Sequence, residues 1–315
     1  MKQMRKGRRS LFIENVKRCF RRWLPCLLAG LLLCPLLRFS AAGAEEPVSF
    51  FDDVERDSVG VVCRTYDSPT LKYTVERFVM HGEKCFLTRI WVQDPARQIR
   101  KSTGEWKKKL KFPRTMAAEI PGAAVVINGS GYVSPRYPEI PENYPGESKD
   151  YFYTPLGSLT VTDGEVFRNL EGVPYYGITL EEDGLRMYTG ADNEEVLAAG
   201  PVQTWSFYTD CPMLRNNEDL LPADWAFADR RAERTIIGRL DRNNYLILSV
   251  GSARKGGISL RRAVIFFQEN FAAEWVYNLD GGPSSALLVR KPGAKRMETL
   301  LGGNAKDADI MAFTE

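Results

Sequence analysis

Apolar and polar residues alternate through "VGVVCRTYDSPTLKYTVERFVMHGEKCFLTRIWV", residues 59–92, with turn breaks at Asp67-Ser68-Pro69 and His81-Gly82. A two-residue period of this kind predicts half-buried strands. The pattern then breaks at 96–119, "ARQIRKSTGEWKKKLKFPRTMAAE", which is dense in Lys and Arg and predicts partly helical structure. A solvated amphipathic helix and loop accounts for it, with a basic anion-binding face as the second reading. A continuous apolar run follows from Ala123 to Ile127, predicting a buried strand that stops at Asn128-Gly129. Residues 134–155 hold five prolines and four tyrosines, a composition expected of a long ordered loop or lid.

Further on, "SLTVTDGEVFRN" predicts a hairpin across Asp163-Gly164, and "YYGITLEEDGLRMYTG" another across Asp183-Gly184. "ADNEEVLAAG" predicts a short helix, and residues 219–232 a helical or loop insert. The strands "RTIIGRL" and "YLILSVG" flank a turn at Asp241 to Asn244. In "ISLRRAVIFFQENFAAEW", Ile258, Ala263, Ile265, Phe266 and Phe271 recur at helical spacing, and the chain then enters the apolar strand before Asp280. The fold class expected is α+β: one domain over 58–315, with a twisted, mixed or antiparallel sheet core and flanking helices.

Composition changes the picture at the N-terminus. Residues 1–44 carry ten Lys or Arg, one acid (Glu14) and the apolar run "WLPCLLAGLLLCPLL", ahead of Ala42-Gly43-Ala44. That layout predicts a secretory signal peptide or, since the basic lead is long, an uncleaved anchor at 23–37, followed by a linker at 45–57. Either way the globular part is expected to be secreted, periplasmic or cell-surface, touching a membrane only through this segment. Without the lead the formal charge of +3 turns negative, so the whole-chain total is no argument for nucleic-acid binding.

Of the six cysteines, Cys63, Cys85 and Cys211 follow the lead. An odd number permits at most one bridge; Cys63 with Cys85 and buried free thiols are both open. The one histidine, His81, sits at a predicted turn, which excludes a zinc HExxH site and disfavours a Ser-His-Asp triad. Neither a P-loop nor a GxGxxG motif is present. No motif calls for a cofactor or a metal, although loop carboxylates leave calcium open.

The chemistry is offered by strand ends. Asn128-Gly129 closes one strand, Arg234-Thr235 opens another, and "VYNLDGGPSSALL" carries Asn278, Asp280, Gly281, Gly282, Ser284 and Ser285 past the end of a third. Glycines after a strand can bare backbone amides as an anion nest, an arginine fork can hold a phosphate, and an adjacent acid can work on the bound group. Taken singly, Asp-Gly-Gly and Asn-Gly are ordinary turn sequences.

Their order, with "GSLTVTDGEVFR" and "ISLRRAVIFF" between, resembles the phosphodiester glycosidase family over residues 60–315. The resemblance carries the family's Asn-Gly onto Asn128 and Gly129, and its Arg-Thr onto Arg234 and Thr235. It carries the Asn-Leu-Asp-Gly-Gly-Gly-Ser-Ser run onto Asn278 to Ser285, and the closing Asp-hydrophobic strand onto Asp309 to Phe313. Pro283 stands where the family has a third glycine, Ser130 follows Asn-Gly, and Gly251 to Arg254 replace an Asp-Gly-Arg.

The resemblance implies an exported hydrolase that cleaves a sugar-1-phosphodiester, of N-acetylglucosamine type, on a cell-surface or extracellular glycan; bacterial members are associated with exopolysaccharide. Asp280, Arg234 and Asn128 become the catalytic candidates, with Gly129, Thr235, Asn278, Gly281, Gly282, Ser284 and Ser285 binding substrate. The partner expected is thus a carbohydrate phosphodiester or an anionic glycan. The departures keep a second expectation alive, a catalytically inactive module binding anionic envelope polysaccharide.

Overall fold

Neighbouring residues of the central strands point to opposite faces, and here both faces are buried, which is why these strands read as unbroken apolar runs. Ile236 faces one core cluster and Ile237 another; Leu246 and Leu248 pack opposite Ile247; Val126 packs opposite Val125 and Ile127. The computed structural model describes residues 60–207, 211–252 and 256–315. They belong to one compact unit. The expected signal or anchor and the linker lie outside the described residues.

The chain begins with β1 (Val61–Asp67), β2 (Leu71–Met80), β3 (Glu83–Val92), α1 (Pro95–Gln98), β4 (Ile99–Thr103), α2 (Pro113–Ala118) and β5 (Ala123–Asn128). After the long loop come β6 (Leu159–Thr162), β7 (Glu165–Asn169), β8 (Tyr175–Glu181), β9 (Gly184–Ala191), α3 (Asn193–Ala198) and β10 (Gln203–Trp205). Then follow β11 (Pro212–Arg215), β12 (Glu218–Asp219), α4 (Ala226–Asp229), β13 (Arg234–Arg239) and β14 (Asn244–Val250). The last part holds α5 (Leu260–Asn270), β15 (Trp275–Asn278), β16 (Ala286–Val289), β17 (Glu298–Gly302) and β18 (Asp309–Thr314).

An eight-stranded sheet runs β1-β2-β3-β14-β13-β15-β11-β12, and a five-stranded sheet runs β17-β16-β5-β18-β4. Every strand pair in both is antiparallel. The main core lies between them, where Tyr73, Ile90, Ile247 and Tyr277 meet Val125, Leu287, Met311 and Phe313. On the far side of the large sheet, α5 seats Ala263, Val264, Phe266 and Phe267 against Leu87, Ile236 and Val276. On the outer face of the small sheet, α2 places Met116 and Ala117 over Val126 and Ile310. The layers are helix, sheet, sheet, helix: an α+β fold with mostly antiparallel strands.

Local signals account for the ends of these elements. Ser259 caps α5 by accepting from the Arg262 amide. His81 (φ 52°) with Gly82 (φ 76°), and Asp163 (φ 51°) with Gly164 (φ 79°), carry the positive φ pairs that tight hairpins need. The 96–119 stretch is less helical than expected, with α1 and α2 short and β4 plus a turn closed by the Glu105–Lys109 bridge between them. Cys63, Cys85 and Cys211 are free thiols. Cys63 is on β1 and Cys85 on β3, with β2 between them, and two strand spacings of about 4.8 Å exceed what a disulfide spans.

Candidate active site

Past the paired ends of β13 and β15, the Leu279 amide donates to Thr235 O (2.9 Å) and the Gly282 amide to Glu233 O (2.9 Å). The Asp280 amide between them crosses to the other sheet and donates to Gly129 O (3.1 Å), just beyond β5. Asp280 is therefore strung across the seam between the two sheets. Asn128 ties the seam: its Nδ2 donates to Asp280 O (2.7 Å), while its Oδ1 accepts from Thr235 Oγ1 (2.7 Å) and the Ala286 amide (3.0 Å). With all of these bonds internal and no exposure, Asn128 sets backbone position rather than meeting a ligand.

Beneath this lies a buried ion pair. Lys101 Nζ sits 3.0 Å from Asp309 Oδ2 and also donates to Thr204 O (2.6 Å). Asp309 accepts from the Ser130 amide (2.6 Å) and from Ser130 Oγ (2.9 Å). Gly129 has no room for a side chain here: a Cβ would stand 2.1 Å from Asp309 Oδ1 and 2.8 Å from Trp205 Cδ1. Its glycine serves this close approach.

Above the seam opens a pocket of about 410 Å³. Asp280, Gly281, Gly282, Pro283 and Ser284 form one side; Arg230, Ala232, Arg234, Phe227 and Phe207 another; Tyr132, Arg136, Tyr137, Pro138 and Glu139 complete it. The last group comes from the start of the proline-rich loop. That loop is an ordered wall with its own apolar cluster of Val133, Tyr151 and Leu156. Arg168 pins it, donating to Pro155 O (2.6 Å) and Thr154 Oγ1 (2.6 Å) with its guanidinium 4.7 Å from the Tyr151 ring centre.

Protein surrounds Asp280 on nearly every side, yet the carboxylate still meets solvent through the pocket. Burial pushes its pKa up to about 7; the Ser284 hydroxyl and the Gly281 amide (2.8 Å) oppose the rise, and Asp309 adds to it. Burial also lowers Arg234 to about 10, still cationic at neutral pH. The Arg234 guanidinium lies 5.0 Å from the Phe227 ring centre and donates to Arg230 O (2.7 Å) and Ile258 O (3.3 Å). Those bonds aim the fork and leave Nη1 without a partner among the described contacts.

The predicted residues divide into two groups. Asp280, Arg234, Gly281, Gly282 and Ser284 line the pocket; Asn128, Gly129, Thr235, Asn278 and Ser285 do not. Two expectations are corrected. The Gly281 and Gly282 amides are no anion nest, because they donate to Asp280 Oδ1 and Glu233 O, and the 3₁₀ turn Gly282–Ser284 turns the following amides inward too. Asn278 and Ser285 are sealed at 0% and 1% exposure, so neither meets a substrate as the pocket stands. Arg254 falls outside the described residues.

Sequence reasoning missed Arg136, Arg230, Tyr132, Phe207 and Phe227, which reach the pocket from loops with no motif of their own. Asp307, two residues before Asp309, does not line the pocket. Asp307 is 1% exposed, and neither of its carboxylate oxygens has a hydrogen-bond partner. Among the described residues, no group of three or more His, Cys, Asp or Glu side chains is spaced to hold a metal ion. A larger open groove of about 740 Å³ beside β9, lined by Arg186, Arg215 and Glu274, contains none of the predicted residues.

Among solved structures, the chain is similar to the catalytic domain of zebrafish N-acetylglucosamine-1-phosphodiester α-N-acetylglucosaminidase, auto-inhibited by its pro-peptide. Identity is 15%, coverage 81% of this chain and 87% of that one, and the TM-score 0.57, a likeness of fold. A hypothetical protein from Synechocystis matches at 14% identity over 80% of this chain and 63% of its own, with a TM-score of 0.49. No curated protein matches. The model of the phosphodiester glycosidase family matches residues 121–310, which hold Asn128, Arg234, Asp280, Asp307 and Asp309. The chain belongs to the phosphodiester glycosidase family.

Proposed function

We propose that this protein is an exported hydrolase that cleaves a sugar-1-phosphodiester, with an N-acetylglucosamine-like sugar, on a cell-surface or extracellular glycan. One observation carries the reading: Asp280 and Arg234, distant in sequence, line the same pocket. Arg234, with Arg230 and Arg136 at the rim, binds the phosphate; Phe207, Phe227, Tyr132 and Tyr137 offer flat apolar walls to the sugar. Asp280 faces the anomeric carbon, where positive charge develops as the bond to phosphate breaks, and takes the proton of the attacking water. A phosphate leaving group needs less protonation than an alcohol, so the absence of histidine from the pocket is no obstacle.

The test is release of free sugar from N-acetylglucosamine-1-phosphate esterified to a chromophoric alcohol, by wild type and Asp280→Asn. Hydrolysis by the wild type that the variant loses supports the assignment; equal hydrolysis by both refutes it. The second reading, an inactive module for anionic glycan, draws on the internally bonded amides and Pro283, which leave the phosphate to side chains alone. Retention of the glycan without turnover is its signature.

A further inference from the structure

A phosphodiester has two substituents, and the pocket around Asp280 accounts for one. With a sugar set against that carboxylate, the group on the other side of the phosphate still needs a place. The wall formed by the start of the proline-rich loop does not end at the pocket rim. Tyr132, Arg136, Tyr137 and Pro283 also border a second hollow of about 430 Å³, which continues to Tyr153 and Lys306.

Rings and cations build this hollow: three tyrosines, Arg136 and Lys306 line it, and no Asp or Glu does. The groove beside β9 is different, since Glu181, Asp183, Glu195 and Glu274 stand among its arginines. The Arg136 guanidinium lies 5.4 Å from the Tyr137 ring centre and Lys306 Nζ 5.4 Å from the Phe112 ring centre. Both cations are exposed, and neither has an acid partner among the described residues. Tyr137 is 51% exposed, a large ring left open beside them. The backbone under these groups is fixed. The Ser134 amide donates to Tyr137 O (3.1 Å), the Tyr137 amide to Ser134 O (2.9 Å), and the Tyr153 amide to Val133 O (2.8 Å). Tyr153 is held at φ 61°, which a bulky residue adopts only where its surroundings impose it. Pro283 presents a ring at the border of the two hollows. Exposed rings with unpaired cations, on a rigid wall and with no acid, match an anionic sugar in shape and in charge.

We propose that the second hollow is the leaving-group subsite and takes a sugar with its own negative charge, a carboxylate or a further phosphate. This rests on the hydrolase reading above. Asp280 and Arg234 line the first pocket and not the second, which places the anomeric carbon in the first. Arg136 borders both, which places the bridging phosphate at their junction. The leaving sugar then lies against Tyr153 and Tyr137, and its charge faces Lys306 and Arg136. Contacts so far from the broken bond act through kcat/KM, by adding binding energy that a short leaving group cannot supply. The substrate class is a phosphodiester bridging two sugars in an anionic glycan.

The test measures release of free N-acetylglucosamine from diesters of N-acetylglucosamine-1-phosphate. The methyl ester is too short to reach the second hollow; the others carry methyl glucoside, methyl glucuronide or methyl glucoside 6-phosphate, each joined through its 4-hydroxyl. In wild type the glucoside ester should exceed the methyl ester about fivefold in kcat/KM. The better of the two charged esters should exceed the glucoside ester about tenfold more, a gain that shrinks in about 0.5 M salt, and it names the anion. Tyr153→Gly, which tolerates the positive φ, should lose the first gain. Lys306→Ala, an exposed position, should lose most of the second. Both variants should cleave the methyl ester at the wild-type rate. A wild type that cleaves the methyl ester but gains nothing from either anion, or whose gains survive in both variants, overturns this proposal alone. A wild type that cleaves none of the four overturns the hydrolase reading and this proposal with it.

Discussion

Asp280→Asn should make the protein more stable at neutral pH while abolishing its activity. The fold raises the Asp280 pKa from 3.8 to about 7. Each tenfold change in a protonation equilibrium is worth about 1.4 kcal/mol, so the ionised carboxylate costs the folded state at most about 4 kcal/mol. Water reaching it through the pocket screens this, and about 2 kcal/mol is the working figure. The folded state holds the Asp280 proton more tightly than the unfolded chain does. The cost is therefore absent below about pH 4, grows as pH rises toward 7, and is complete above it. An asparagine keeps an oxygen for the Gly281 amide and carries no charge. Thermal unfolding at pH 8 should show Asp280→Asn melting about 4–8 °C above wild type, a gap that closes by pH 4, while turnover falls by a factor of about 1,000 or more. Equal melting at pH 8, or a gain that persists unchanged at pH 4, would refute the account of Asp280 as a buried, destabilised carboxylate.

Arg234→Lys should lower kcat/KM about 100-fold and weaken competition by sugar-1-phosphate about tenfold, since an ammonium cannot both bond Arg230 O and Ile258 O and present a fork; inhibition kinetics measure it. Asn128→Ala should destabilise by about 2–4 kcal/mol in urea unfolding, because Thr235 Oγ1, the Ala286 amide and Asp280 O all lose their partner. Lys101→Met should cost about 3–5 kcal/mol by the same measurement, leaving Asp309 charged and buried; near-wild-type stability would mean the pair is replaceable.

What the chain determined by itself was local. Residue periodicity marked the strands and α5, and the dipeptides His81-Gly82 and Asp163-Gly164 marked their hairpins, because each signal is read within a few residues. The same reading put Arg234 and Asp280 at strand ends, Asp280 before a Gly-Gly turn, and the family resemblance made them catalytic candidates. Tertiary structure alone decided that they face one pocket, through the pairing of β13 with β15 and the crossing of the Asp280 amide to Gly129. It also decided that the Gly281 and Gly282 amides are consumed internally, that β2 separates Cys63 from Cys85, and that the Asp307 carboxyl is buried with neither oxygen hydrogen-bonded. Strand neighbours and the burial of a loop carboxyl depend on contacts between segments far apart in the chain, and periodicity, which assigns a side chain to a face, does not say what will cover that face.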